Sequence, residues 1–175
     1  MNEEQVVKLL QHYRHDLMNH LQLIQGYLSM GKLEKVESKV QSCFNHYENE
    51  RKLMSLNAPS LSIWLIEFNS RYEYLRLEYN IHVQNRNLSQ IDIILKNHLE
   101  NIISCIVEES DGTELIEILL QLNEAEENNN ANVFLRIKTK ANKEEIKRKL
   151  KSMNWEYEQN ISENNEGIAC QFLIP

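Results

Sequence analysis

Arg14-His15-Asp16-Leu17-Met18-Asn19-His20-Leu21-Gln22-Leu23-Ile24-Gln25-Gly26 is the stretch on which the reading of this chain turns. Within and around it, Leu10, Tyr13, Leu17, Leu21, Ile24 and Leu28 recur at three- and four-residue steps, the spacing that gathers side chains on one helix face. The pattern predicts a single amphipathic helix over residues 3–29, with Gly31 placed where a left-handed residue commonly ends a helix. A second helix is expected over residues 32–54, with Leu33, Val36, Val40, Cys43 (or Phe44) and Tyr47 on its apolar side. So short a connection turns the second helix back antiparallel to the first, giving a helical hairpin.

Two helices leave part of each apolar stripe wet, and a hairpin of this size is marginal alone. A second copy packing against it as a four-helix bundle solves the problem, so a homodimer is expected. The alternative at this stage is that the chain's own C-terminal part covers the stripe.

Beyond the hairpin, Asn57-Ala58-Pro59-Ser60 punctuates the chain, because Pro59 cannot continue a helix and Ser60 is a reasonable N-cap for a new one. Two domains are therefore expected, a helical hairpin over residues 1–56 and an α+β domain over residues 57–175. In the second, residues 60–77 read as helix, and Tyr79, Ile81 and Val83 alternate with polar residues as in a half-buried strand. A long apolar helix over residues 89–108 precedes the Asp111-Gly112 turn and a strand at 114–122. A polar loop at 124–132, containing Asn128-Asn129-Asn130, leads to a strand at 133–137. A charged helix at 143–152 and strands near 155–161 and 168–174 complete a single-sided α+β sandwich.

Composition narrows the function. Of 175 residues 42% are hydrophobic and only 4 are Gly and 2 Pro, which excludes collagen-like, mucin-like and wholly disordered chains. Residues 1–56 carry seven Lys/Arg and seven Asp/Glu, so the entire net charge of −7 falls on the remainder. No basic stripe suited to phosphate backbones is present, which argues against direct nucleic-acid binding. No apolar run is long enough to span a membrane, and the first residues lack the basic and apolar regions of a signal peptide, so a cytoplasmic location is expected. Cys43, Cys105 and Cys170 form no CxxC pair and read as reduced, partly buried thiols.

On a helical wheel His15 points about 155° away from the apolar stripe, with Asn19 beside it one turn later and His12 three residues before it. His20 lies nearer the stripe edge, as a packing residue. An exposed imidazole flanked by Asp16 and Asn19 has the chemistry of a nucleophile or phosphoryl acceptor, since one ring nitrogen is free at neutral pH. Asp16 can hold the proton of the other nitrogen, and Asn19 can position a phosphate oxygen or a water. A helical His without any chemical role is the competing reading. His12 and His15 could chelate a metal only weakly, and no carboxylate or Cys completes a set, so no metal or other cofactor is expected on the chain.

His15-Asp16-x-x-Asn19 resembles the phosphoacceptor box of histidine-kinase dimerisation domains. The longer string, Arg-His-Asp-x-x-Asn-x-Leu-Gln-x-Ile-x-Gly with Leu28 and Gly31 beyond it, resembles the sporulation-initiation phosphotransferase B family. That resemblance implies a dimeric four-helix bundle presenting His15 to solvent, and after it a domain derived from the kinase ATPase fold. It also implies phosphoryl relay from the aspartate of a single-domain response regulator, through His15, to the aspartate of a DNA-binding regulator that controls sporulation. Asp16 and Asn19 would orient the reaction, His12, Arg14 and Gln22 would help seat the partners, and Mg2+ would be supplied by the regulators. Sensor kinases that share the box carry further segments before it, whereas here it stands at the N-terminus. Asn97-His98-Leu99-Glu100-Asn101 partly echoes the Asn-rich box of such kinases, yet only Gly112 and Gly167 come after it. Without glycine-rich loops the backbone cannot approach phosphates closely, so ATP binding is expected to be vestigial or absent, with Asn97 and Asn101 as polar residues on a buried helix. An ATP-dependent histidine kinase and a non-catalytic regulator-binding scaffold are the two competing functions.

Overall fold

The computed structural model describes residues 2–83, 86–125, 130–153, 155–157 and 159–175. The chain divides into two compact units, Met1–Arg51 and Lys52–Pro175.

The first unit holds α1 (Glu3–Ser29) and most of α2 (Leu33–Met54). Asn2 caps α1 by accepting from the Gln5 backbone N–H, and the Gln5 side chain in turn accepts from the Asn2 N–H. At the other end Gly31 takes φ +67°. The Gly31 N–H donates to the Leu28 carbonyl and the Lys32 N–H to the Tyr27 carbonyl, closing the last turn. Three residues, Met30, Gly31 and Lys32, thus reverse the chain, and the helices run antiparallel, with Tyr13 against Tyr47 and Glu50, and His20 against Cys43. The side of α1 that meets α2 takes in Tyr13 of the predicted stripe together with His20 beside it, but not the stripe's leucines. Leu10, Leu17, Leu21 and Leu28 on α1, with Leu33, Val40 and Phe44 on α2, stay 36–64% exposed within the single chain.

The second unit comprises α3 (Pro59–Arg71), β1 (Leu75–Ile81), α4 (Asp92–Glu109), β2 (Ile116–Glu124), β3 (Ala131–Lys138), α5 (Lys143–Ser152), β4 (Gln159–Glu163) and β5 (Gly167–Ile174). The protein is therefore α+β. Its five strands lie in the order β1-β2-β3-β5-β4, with β1 and β2 parallel and the other pairs antiparallel. The parallel pair is joined through α4, as parallel strands require a crossover. Burial alternates along β2 and β3, so one sheet face is covered: Ile116, Ile118, Leu120 and Leu122 pack with Val133, Leu135 and Ile137 beneath the helices.

Four sequence expectations shift. The helix expected to reach residue 77 stops at Arg71, and Leu75–Ile81 is the edge strand β1, whose Leu75 and Leu77 alternate with exposed Arg76 and Glu78. The N-cap position is Ala58 rather than Ser60, and Pro59 occupies the first turn, where its missing N–H costs nothing. Strand β4 begins at Gln159, not 155. Of the polar loop at 124–132, Glu126, Glu127, Asn128 and Asn129 lie outside the described residues, while Glu124 and Ala131 belong to strands.

The first turn of α3 is capped from a distance. Asp92, at the start of α4 and 5% exposed, accepts from the Ser60 N–H at 2.9 Å and from the Leu61 N–H at 2.8 Å. One buried carboxylate thereby satisfies two orphan donors and ties α3 to α4. Gly167 is required for a different reason: a Cβ there would stand 1.8 Å from the Ile137 carbonyl oxygen across the β3–β5 ladder. Asp92→Ala, which leaves both amides without their acceptor, should lower the stability of the C-terminal unit by about 2 kcal/mol. Urea unfolding of the full chain, monitored by fluorescence of Trp64 and Trp155, measures it, and an unchanged midpoint would contradict the capping role.

Candidate functional site

Helix α1 carries His15 on the side opposite its apolar stripe. The imidazole side chain is 71% exposed and its neighbour Asp16 74% exposed. Asp16 Oδ1 lies 3.4 Å from His15 Nδ1, and Asn19 Nδ2 lies 3.3 Å from the same nitrogen. The i, i+4 step along α1 brings Asn19 over the ring, so helix geometry rather than a loop fixes all three groups.

Both neighbours address one ring nitrogen, and their demands differ. A carboxylate wants a proton on Nδ1, whereas an amide NH2 wants a lone pair there. The carboxylate carries full charge, so Nδ1–H donating to Asp16 is the stronger arrangement, with the Asn19 amide turned to present its oxygen. In that tautomer Nε2 bears the lone pair, and among the described residues it makes no hydrogen bond. The ring is thus held by one edge and open to solvent at the other. Asn19 stands against the imidazole, one turn along the helix.

His12, Arg14 and Gln22 are exposed on the same helix, and the hydrogen-bond partners of His15 are Asp16 and Asn19 rather than these. Asn97 and Asn101 lie on the exposed side of α4, whose other side buries His98, Leu99, Ile102 and Ile103. They are the exposed polar residues of a helix whose other face is buried. Gly112 forms the turn after α4 at φ +71°, and Gly167 lies inside β5. Among the described residues no group of three or more His, Cys, Asp or Glu is arranged to hold a metal ion, and no helix is long and apolar enough to cross a membrane.

One group of side chains escaped the sequence reading. His20, Cys43, His46 and Glu50 meet between α1 and α2, with Tyr13 and Tyr47 around them. The signal was present in the turn, because His20 and Cys43, like Tyr13 and Glu50, stand equally far from Gly31-Lys32.

The ring geometry has a measurable consequence. Nitrogen-correlated NMR of the neutral ring should find the His15 proton on Nδ1, and Asp16→Ala should move it toward Nε2. A tautomer ratio that ignores Asp16 would contradict the arrangement.

The helix bearing this site has counterparts among known proteins. Residues 1–56 match the family model described as Sensor_kinase_SpoOB-type, alpha-helical domain. The chain is 36% identical over 88 residues to the sporulation initiation phosphotransferase B of Bacillus subtilis (strain 168), an alignment covering 50% of this chain and 46% of that protein. The chain thus spans about half the length of the curated relative it matches. Among solved structures, the blue-light activated histidine kinase of Erythrobacter litoralis EL346 aligns over 100% of this chain and 60% of its own, at 14% identity and a TM-score of 0.49. The segment that carries His15, Asp16 and Asn19 is therefore similar in sequence to the alpha-helical domain of SpoOB-type sensor kinases.

Proposed function

We propose that the protein is a histidine phosphotransferase of a sporulation phosphorelay, with His15 as the residue that carries the phosphoryl group. The observation that supports this most is the ring itself, exposed, held at Nδ1 and free at Nε2. The similarity of residues 1–56 to SpoOB-type helical domains supports it independently.

In this reading Nε2 attacks the phosphorus of an aspartyl phosphate on one response regulator. The bond from phosphorus to the donor's carboxylate oxygen breaks as the bond to nitrogen forms, and the donor aspartate leaves as a carboxylate. Phosphorylation at Nε2 leaves the ring with its Nδ1 proton and a positive charge, which Asp16 opposes across 3.4 Å. Asn19 keeps the ring plane fixed. A second regulator then presents its own aspartate in line, and the group moves on.

Aspartyl phosphate and phosphohistidine are both energy-rich, so alignment and charge neutralisation are the main tasks of catalysis. The donor regulator is a single receiver domain and the acceptor a DNA-binding regulator. Each brings its own Mg2+, and no cofactor resides on this chain. His12, Arg14 and Gln22, exposed on the same helix, border the docking area. The protein acts in the cytoplasm.

The working unit is a homodimer. The exposed leucines of α1 and the Leu33, Val40 and Phe44 strip of α2 form one apolar surface, and a second copy buries it as a four-helix bundle. His15 stays outside that contact because it lies across the helix from the stripe. Leu17→Glu combined with Leu21→Glu should reduce the mass measured by light scattering from two chains to one. A dimer that survives both charges would refute this interface.

His15→Ala should abolish transfer of labelled phosphate from a phosphorylated receiver domain while the dimer persists. Undiminished transfer in that variant would end the proposal. Labelled ATP alone should leave His15 unlabelled, and strong incorporation would replace this reading by an ATP-dependent kinase.

A further inference from the structure

The inner faces of the hairpin hold a second reactive group that phosphoryl transfer does not use. Cys43 Sγ lies 3.0 Å from His20 Nδ1. The His20 ring stacks on His46 with centroids 6.1 Å apart and planes 22° from parallel. His46 Nε2 stands 3.8 Å from Glu50 Oε2, to which Tyr13 Oη also donates at 3.5 Å. Glu50 Oε1 is buried without a partner. A thiol, two imidazoles and a carboxylate therefore succeed one another across the helix pair. The Glu50 end is closed, with a side chain 5% exposed, and His46 is open at 52%.

A thiol in hydrogen-bond reach of an imidazole is the arrangement that makes cysteine a nucleophile. Burial lowers the His20 pKa, with Lys39 and His46 acting in the same direction and Asp16 opposing them. The ring is therefore neutral near pH 7, and its Nδ1 can take the thiol proton when the proton of the ring sits on Nε2. Tyr47 completes the surroundings, its ring lying against both imidazoles. The other two cysteines differ in every respect. Cys105 and Cys170 are 5% and 1% exposed in the core of the C-terminal unit, and burial pushes both thiols up, Cys170 to about 12.

We propose that Cys43 is a modification site, a thiol activated by His20 that reacts selectively with small peroxides, hydrogen peroxide among them. His20 Nδ1 takes the Cys43 proton and the thiolate sulfur attacks one peroxide oxygen. The O–O bond breaks as the S–O bond forms, so sulfur is oxidised by two electrons and the peroxide reduced. The departing hydroxide takes the proton from the imidazolium and leaves as water, giving a sulfenic acid at Cys43 and a neutral His20. This inference stands apart from the phosphoryl reaction and survives its failure.

The experiment treats the full chain with a modest excess of hydrogen peroxide in the presence of dimedone and quantifies each cysteine peptide by mass spectrometry. Cys43 should be labelled first, and roughly 10- to 100-fold faster than Cys105 and Cys170. It should also react faster in the folded protein than in urea, because activation needs the hairpin, whereas a merely accessible thiol gains nothing from folding. His20→Leu should slow Cys43 by a similar factor while circular dichroism stays helical. Equal labelling of the three cysteines, faster reaction of Cys43 in urea, or an unchanged rate in a folded His20→Leu chain would each overturn the proposal. If His20→Leu loses its helices, the comparison of folded with urea-unfolded wild type decides it.

Discussion

A helix has one circumference, and α1 divides its own among three uses. Taking Leu10, Leu17, Leu21 and Leu28 as the reference direction, the residues that meet α2 (Tyr13, His20 and Tyr27) lie about 80° to one side. His15 and Asn19 lie about 160° away from the same reference. At about 100° per residue these directions cannot be interchanged without moving every side chain on the helix. Orientation is therefore the constraint that governs the N-terminal unit. The contact with α2 fixes rotation about the helix axis, rotation fixes where the leucines face, and the direction of the imidazole is then set as well.

The contact that sets this rotation is rich in rings and polar groups. Aromatic rings and imidazoles meet across it, Tyr13 against Tyr47 and His20 against His46. Such rings fill space well and keep polar edges that must be satisfied. Cys43 answers His20, and Tyr13 and His46 approach Glu50, whose burial raises its pKa. The aliphatic leucines are left for another surface. This separation gives physical meaning to a stripe that is regular in sequence and yet exposed in the single chain.

The C-terminal unit holds its sheet by different means. Its strands present Ile, Leu and Val to one face, where α3, α4 and α5 cover them, and Asp92 ties the helix layer together through two backbone amides. Charge on this unit is spread over helix ends and strand edges, in pairs such as Lys149 with Glu108 and Glu109, and Lys138 with Glu117. Surface pairs of this kind contribute little each. The apolar layer beneath them carries the fold.

Features that depend on near neighbours along the chain were legible before any folding partner was known. The periodicity of residues 10–28 and the glycine after it specified α1, its end and the antiparallel return of α2, because helix period and left-handed caps are local properties. The outward direction of His15, the closeness of Asn19 and the α+β alternation after Pro59 came from the same source. Partners distant in sequence settled everything else. Leu75 stands in a strand beside Ile116 rather than at a helix end, since only pairing with β2 turns that ambiguous apolar run into an edge strand. Ser60 lies inside the first turn of α3 rather than before it, and its N–H with that of Leu61 is met by Asp92 on another helix, 32 and 31 residues away in sequence. His98 is buried against Trp155, Tyr157 and Phe172, which no local pattern announces. His20 meets Cys43 because of where two helices turn and how they rotate, which is a property of the fold and not of either helix alone.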